Sequence, residues 1–113
     1  MDKDEVYLKE IKEFAEKVAD FIGTLDYPAF LKDEKTQWSV IKLIENIGEA
    51  SARLSNKTKQ AYPEVDWHSA VAMRNRLVHD YMDVDLAIVY DAATKEVPAL
   101  LNHLSAKYGK TPN

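Results

Sequence analysis

Leu8, Ile11, Ala15, Val18 and Ile22 recur at intervals of three and four residues, and the same period returns three more times along the chain. That spacing lines side chains up on one face of a helix, whereas a half-buried strand needs alternation at every second residue. No stretch alternates in that way, so the pattern predicts an all-α fold. The first helix is expected over 4–22, with Asp2 or Asp4 able to cap its start, Gly23 its end, and Tyr7, Phe14 and Phe21 beside the stripe. The segment TLDYPAFLKD, 24–33, carries a proline and no clear period and reads as a connection. A second helix over 34–55 has two adjacent stripes. One is Val40, Leu43, Ile47, Ala50 and Leu54; the other is Ile41, Ile44, Gly48 and Ser51. A face that wide exceeds what one neighbouring helix covers, so this helix is central or reaches a partner chain.

The polar segment 55–65, closed by Tyr62-Pro63, reads as a loop. A third helix starts near Asp66 and places Trp67, Val71, Met73, Leu77 and Val78 on its apolar side. The fourth begins after Asp83 or Asp85 and keeps helical phase through Leu86, Tyr90, Ala93, Val97, Leu100, Leu101, Leu104 and Tyr108. It crosses Pro98, which lacks a backbone donor and crowds the preceding turn, so a kink or split is expected there. The architecture predicted is an up-and-down four-helix bundle forming a single domain over 1–113.

Whole-chain quantities exclude several classes of function. With 113 residues there is room for one core but not two. The chain has no cysteine, hence no disulfide and no thiolate metal site. Its start, MDKDEVYLKE, is charged from the second residue and does not read as a secretory signal. No apolar run approaches the roughly 20 residues of a membrane span. A cytoplasmic protein without membrane association is therefore expected. The net charge of −4 argues against nonspecific coating of nucleic acid, so any polyanion must meet a local basic patch.

One candidate patch is the string RNRLVHDY, 74–81, at the end of the third helix. Asn75 and His79 stack at i and i+4, while Arg74 and Tyr81, seven apart, share another face. Arg74 and His79 point about 140° apart on an ideal helix. They converge only if the helix ends or bends near His79, if the arginine curls round, or if a second chain supplies one of them. A solvated charged face is the plain reading. The residue types also suit metal-free RNA cleavage. A histidine can take the proton of a 2′-hydroxyl or give one to the departing 5′-oxygen. An arginine can clamp the phosphate as charge builds on it.

The string matches the R-x4-H-x-Y signature of the HEPN superfamily. The surrounding segments EKTQWSVIKLIENIGEASARLS, YPEVDWHSAVAMRNRLVHDY and VDLAIVYDAATKEVPALLNHL resemble the HepT family in order and spacing, over roughly residues 5–105. That resemblance implies a HEPN-like bundle acting as the toxin of a two-gene toxin–antitoxin module. It implies an endoribonuclease that needs neither metal nor cofactor. Its antitoxin would be an MntA-type minimal nucleotidyltransferase. Arg74 and His79 would be catalytic, Tyr81 the residue that the antitoxin modifies with AMP, and Asn75, Arg76 and Asp80 their supporting neighbours. RNA cleavage by transesterification calls for a base and an acid, and the motif supplies one histidine per chain, so a homodimer with a shared cleft is expected. The alternative is a noncatalytic HEPN binding module that partners a nucleotidyltransferase, and a third is a plain helical interaction protein.

Other polar residues read more simply. His68 and His103 have no metal-ligand spacing with His79 and read as surface residues. Glu45 and Glu49, an i,i+4 pair without a third ligand, read as a solvated face. Lys57 and Lys59 read as loop residues rather than an extended RNA patch. Trp38 and Trp67 read as core or interface rather than stacking platforms, and Gly48 as a point of close helix approach.

Overall fold

The computed structural model describes residues 3–79 and 83–107. It is an all-α bundle, with no strand among the described residues. Helix α1 (Lys3–Ile22) leads through a short α2 (Tyr27–Leu31) into α3 (Glu34–Arg53). A short α4 (Asn56–Ala61) precedes α5 (Trp67–His79), and α6 (Leu86–Asp91) runs through a π-helical turn (Ala92–Glu96) into α7 (Val97–Lys107). The four long helical stretches are those expected from the apolar period. No helix among the described residues is long and apolar enough to cross a membrane.

The α1 stripe is buried along its whole length, with Ile11, Ala15 and Val18 fully enclosed. Both stripes of α3 are buried as well, from Val40 to Leu54. Each large aliphatic among them contributes about 1.5–3 kcal/mol relative to exposure. The width of the α3 face is explained by its place at the centre, with α1 and α5 packed against it and α2 and α6 adding contacts. Helix α7 lies against α1. Ser51, the one polar member of the stripes, is fully buried and donates from Oγ to the Ile47 carbonyl at 2.7 Å, so its hydroxyl stays satisfied within the helix.

Two segments expected to be loops contain helical turns. In 24–33, Asp26 caps α2 by accepting from the Ala29 amide at 2.9 Å, and Pro28 occupies its first turn, where a missing N–H costs nothing. Phe30 is fully buried, and Tyr90 packs on it and on Tyr27 with ring centroids 5.4 and 5.3 Å apart. The Tyr90 hydroxyl donates to the Leu25 carbonyl at 2.8 Å. One turn of helix is too short to show a period, so only tertiary contacts reveal it. In 55–65, Ser55 caps α4, and Asp4 of α1 accepts from the Ser55 amide at 3.2 Å and from the Ser55 and Thr58 hydroxyls at 2.5 Å each. No residue of α4 is buried, which is why its sequence carries no apolar signal. At Pro98 the helix continues, and the irregularity falls one turn earlier, where the Val97 amide bonds to the Ala92 carbonyl in the wide π pattern. Val78, expected on the apolar side of α5, is 43% exposed.

The crossing of α3 and α5 depends on Gly48. A Cβ there would overlap the Arg74 Cβ and lie 2.7 Å from the Ala70 carbonyl oxygen. Both obstacles are rigid parts of α5, so a methyl group would force the helices apart. Gly48→Ala is expected to cost about 2–3 kcal/mol by overpacking, lowering the melting midpoint by about 10 °C. Thermal melts of the two proteins check this, and a variant as stable as the parent would contradict the close crossing.

Candidate active site at the crossing of α3 and α5

Residues 74–79 of the segment singled out in the sequence are carried by the last turns of α5. The helix is started by Asp66, which accepts from the Ser69 amide at 3.0 Å and its hydroxyl at 2.7 Å; those bonds hold the carboxyl below the usual carboxylate range. Trp67 anchors the first turn in the core, edge-on to Tyr62 at 6.4 Å, and Leu77 anchors the last. The Trp67 indole N–H is buried and has no hydrogen-bond partner among the described residues.

Between those anchors Arg74 lies over Gly48. Its side chain is only 30% exposed; its Nε donates to Glu49 Oε2 at 2.8 Å, and its Nη2 lies 2.5 Å from the same oxygen in an ion pair. Its Nη1 donates to Asn75 Oδ1 at 2.5 Å. The other Glu49 oxygen accepts from Arg53 Nη2 at 3.2 Å. The result is a chain of charges, Arg53–Glu49–Arg74, with one more cation than anion. Hydrogen bonding from Arg74 is the main reason that the Glu49 carboxyl is held below its ordinary value, helped by the charges of Arg74 and Arg53. A guanidinium has five N–H groups. Among the described residues three are engaged, by Glu49 and Asn75, and two are not.

The other expected site residues distribute around α5. Asn75 and His79 are exposed, His79 being the last residue of the helix. Arg76, also exposed, lines a separate cavity of about 250 Å³ with Leu77, Asp83, Val84 and Ile88, so it does not join Arg74. Asp80 and Tyr81 lie outside the described residues.

Glu49 is the residue that sequence reasoning missed. It was grouped with Glu45, yet the two part company: Glu45 pairs with Lys42 at 3.4 Å, Glu49 with Arg74. A usable signal existed, because Glu49 directly follows the glycine that brings α5 close. Of the remaining residues, His68 is exposed and His103 half-buried. Lys57 and Lys59 sit on α4 rather than in a loop. Trp67 is in the core as expected, whereas Trp38 is 50% exposed on α3.

The profile of the family described as ribonuclease HepT-like matches residues 11–106. A protein of Thermococcus cleftensis named probable ribonuclease HepT is 36% identical over 94 residues, 83% of this chain and 86% of the relative. Two Methanocaldococcus jannaschii proteins whose names carry the word RNase are 32% and 35% identical, over 83% and 81% of this chain and 86% and 76% of their own lengths. No solved structure matches the chain.

The charge chain makes a prediction about titration. A carboxyl whose folded pKa is depressed stabilises above its unfolded value, and that contribution is lost as pH falls through the folded one. Carbon-detected NMR of Glu49 should therefore show a midpoint below 4.5, and Arg74→Ala should move it upward toward 4.5. A midpoint indifferent to Arg74 would mean that this ion pair does not form in solution.

Proposed function

The chain belongs to the ribonuclease HepT-like family, and from that premise we propose that it is an endoribonuclease that cuts RNA with Arg74 and His79. The observation that carries this reading is the tethered guanidinium of Arg74. Held from one side by Glu49 and Asn75, it keeps two N–H groups, among the described residues, for a phosphate. The names of the relatives, ribonuclease and RNase, support the substrate class.

In the proposed reaction the 2′-oxygen attacks phosphorus while the bond from phosphorus to the 5′-oxygen breaks. The products are a 2′,3′-cyclic phosphate and a free 5′-hydroxyl. A base takes the 2′-hydroxyl proton, and an acid gives a proton to the departing 5′-oxygen. Exposed His79 suits one of those roles, and Arg74 stabilises the added charge on the phosphoryl oxygens. Metal is not required by this scheme. Glu49 orients Arg74 before RNA arrives and prevents the guanidinium from folding onto other acids.

A homodimer completes the scheme by supplying a second histidine. Helix α5 packs chiefly on α3, and Val78 on α5 and Trp38 on α3 stay 43% and 50% exposed. Those apolar side chains support a twofold contact along the two helices. The chain then acts as the toxin of a toxin–antitoxin module, neutralised by an MntA-type nucleotidyltransferase that attaches AMP to Tyr81. Each AMP brings a phosphodiester with about one negative charge, a competitor for the arginines, and a bulky base.

Arg74→Ala and His79→Ala should each slow cleavage of a fluorogenic RNA in EDTA by at least about a hundredfold. The fold should persist, because Arg74→Ala keeps the Cβ over Gly48 and His79 is exposed. Folded variants with undiminished cleavage would remove the assignment. Wild-type protein that is folded and dimeric yet inert toward RNA would favour a noncatalytic binding module.

Coexpression with the proposed MntA-type nucleotidyltransferase should raise the intact mass by whole AMP units at Tyr81 and silence cleavage. Tyr81→Phe should resist the modification. An adduct mapped to another residue, or silencing without an adduct, would overturn this part.

A further inference from the structure

A second feature lies on the opposite flank of α5 from Glu49. Helix α5 is seated on α3, and α7 on α1. Between them runs a groove of about 190 Å³ whose floor is Ile44 and Ile47 of α3, with Met73 on one wall and Val97 and Leu100 on the other. Its lining is mostly apolar, but acids stand at its edges: Glu64 and Asp66 ahead of α5, and Glu96 at the end of the π turn. Half-buried His103 also lines it, and among the described residues no lysine or arginine does.

We propose that this groove receives the apolar face of a cationic amphipathic helix from a partner protein. Three observations carry the choice of occupant. The apolar floor rewards hydrophobic side chains that leave water. The wall from Glu96 to His103 spans seven helical rises, about 10 Å, which matches a row of side chains at i, i+3 or i+4, and i+7 on a docked helix. Glu64, Asp66 and Glu96 then meet lysines or arginines flanking that row. The same carboxylates repel RNA, and a second copy of this acidic chain brings a net charge of −4 of its own. Met73 immediately precedes Arg74 on α5, so a docked helix bears on the segment that carries the proposed cleavage residues. The docking itself does not depend on the ribonuclease reading.

The probe is a fluorescein-labelled synthetic helix of leucines in one row and lysines on both sides, followed by anisotropy with the full chain. A matched peptide with glutamates in place of the lysines is the control. Wild-type protein should bind the lysine peptide saturably and the glutamate peptide at least about tenfold more weakly. Glu64→Lys combined with Glu96→Lys, both at exposed positions, should weaken the lysine peptide by a similar factor. Ala99→Trp, a change at an exposed lining residue of α7, should do the same by filling the groove. Amide exchange should show protection along 64–73 and 92–103. No saturable binding, equal binding of the two peptides, or protection confined to the Trp38 and Val78 side would overturn the proposal. If Ala99→Trp lowers the melting midpoint, the charge-reversal pair decides alone: binding undiminished in that variant also overturns it.

Discussion

The contact between Gly48 and the backbone of α5 at Ala70 and Arg74 organises the rest of this molecule. An α3 residue with any side chain at position 48 would hold α5 away from α3. The guanidinium of Arg74 would then lose its fixed distance to Glu49, one residue along from the glycine. Close approach thus converts a packing detail into electrostatic geometry. The same crossing fixes how far α5 stands from α7, and so opens the groove floored by Ile44 and Ile47.

Around that crossing the acidic surplus of the chain has structural duties. Asp26, Asp33, Asp66 and Asp85 each accept backbone amides at the start of a helix, where unpaired N–H groups and the helix dipole favour negative charge. Asp4 ties the start of α1 to α4. These carboxylates are anchored at helix ends, while Arg53, Glu49 and Arg74 form a locally cationic chain at the crossing. Net charge therefore misleads about the crossing: a protein with four excess negative charges still carries a local surplus of positive charge there.

Helix α5 is the least enclosed of the long helices, with only Trp67 and Leu77 buried. Its two flanks differ in chemistry. One carries Arg74 and Asn75 beside Glu49, and the other turns Met73 toward an acidic, apolar-floored groove and Arg76 toward a separate cavity. On the readings proposed above, a helix held on one side and open on two serves a nucleic acid on one flank and a protein partner on the other.

Helical period by itself determined the four long stretches, the burial of every member of the α1 and α3 stripes, and the role of Gly48. Those features follow from local spacing and solvent exclusion, which the order of residues encodes directly. The string from Arg74 to Tyr81 was equally legible as a motif, and the family followed from it together with the segments around it. What only the tertiary structure decided are relations between residues far apart in the chain. The aromatic corner of Tyr27, Phe30 and Tyr90 turned an apparent loop into α2. Asp4 reached across 51 residues to Ser55 at the cap of α4. Glu49, read as a solvated acid, became the partner of Arg74 across 25 residues. Each depends on the direction in which one helix crosses another, and short-range periodicity carries no information about that direction, because it is set by how the buried faces interlock.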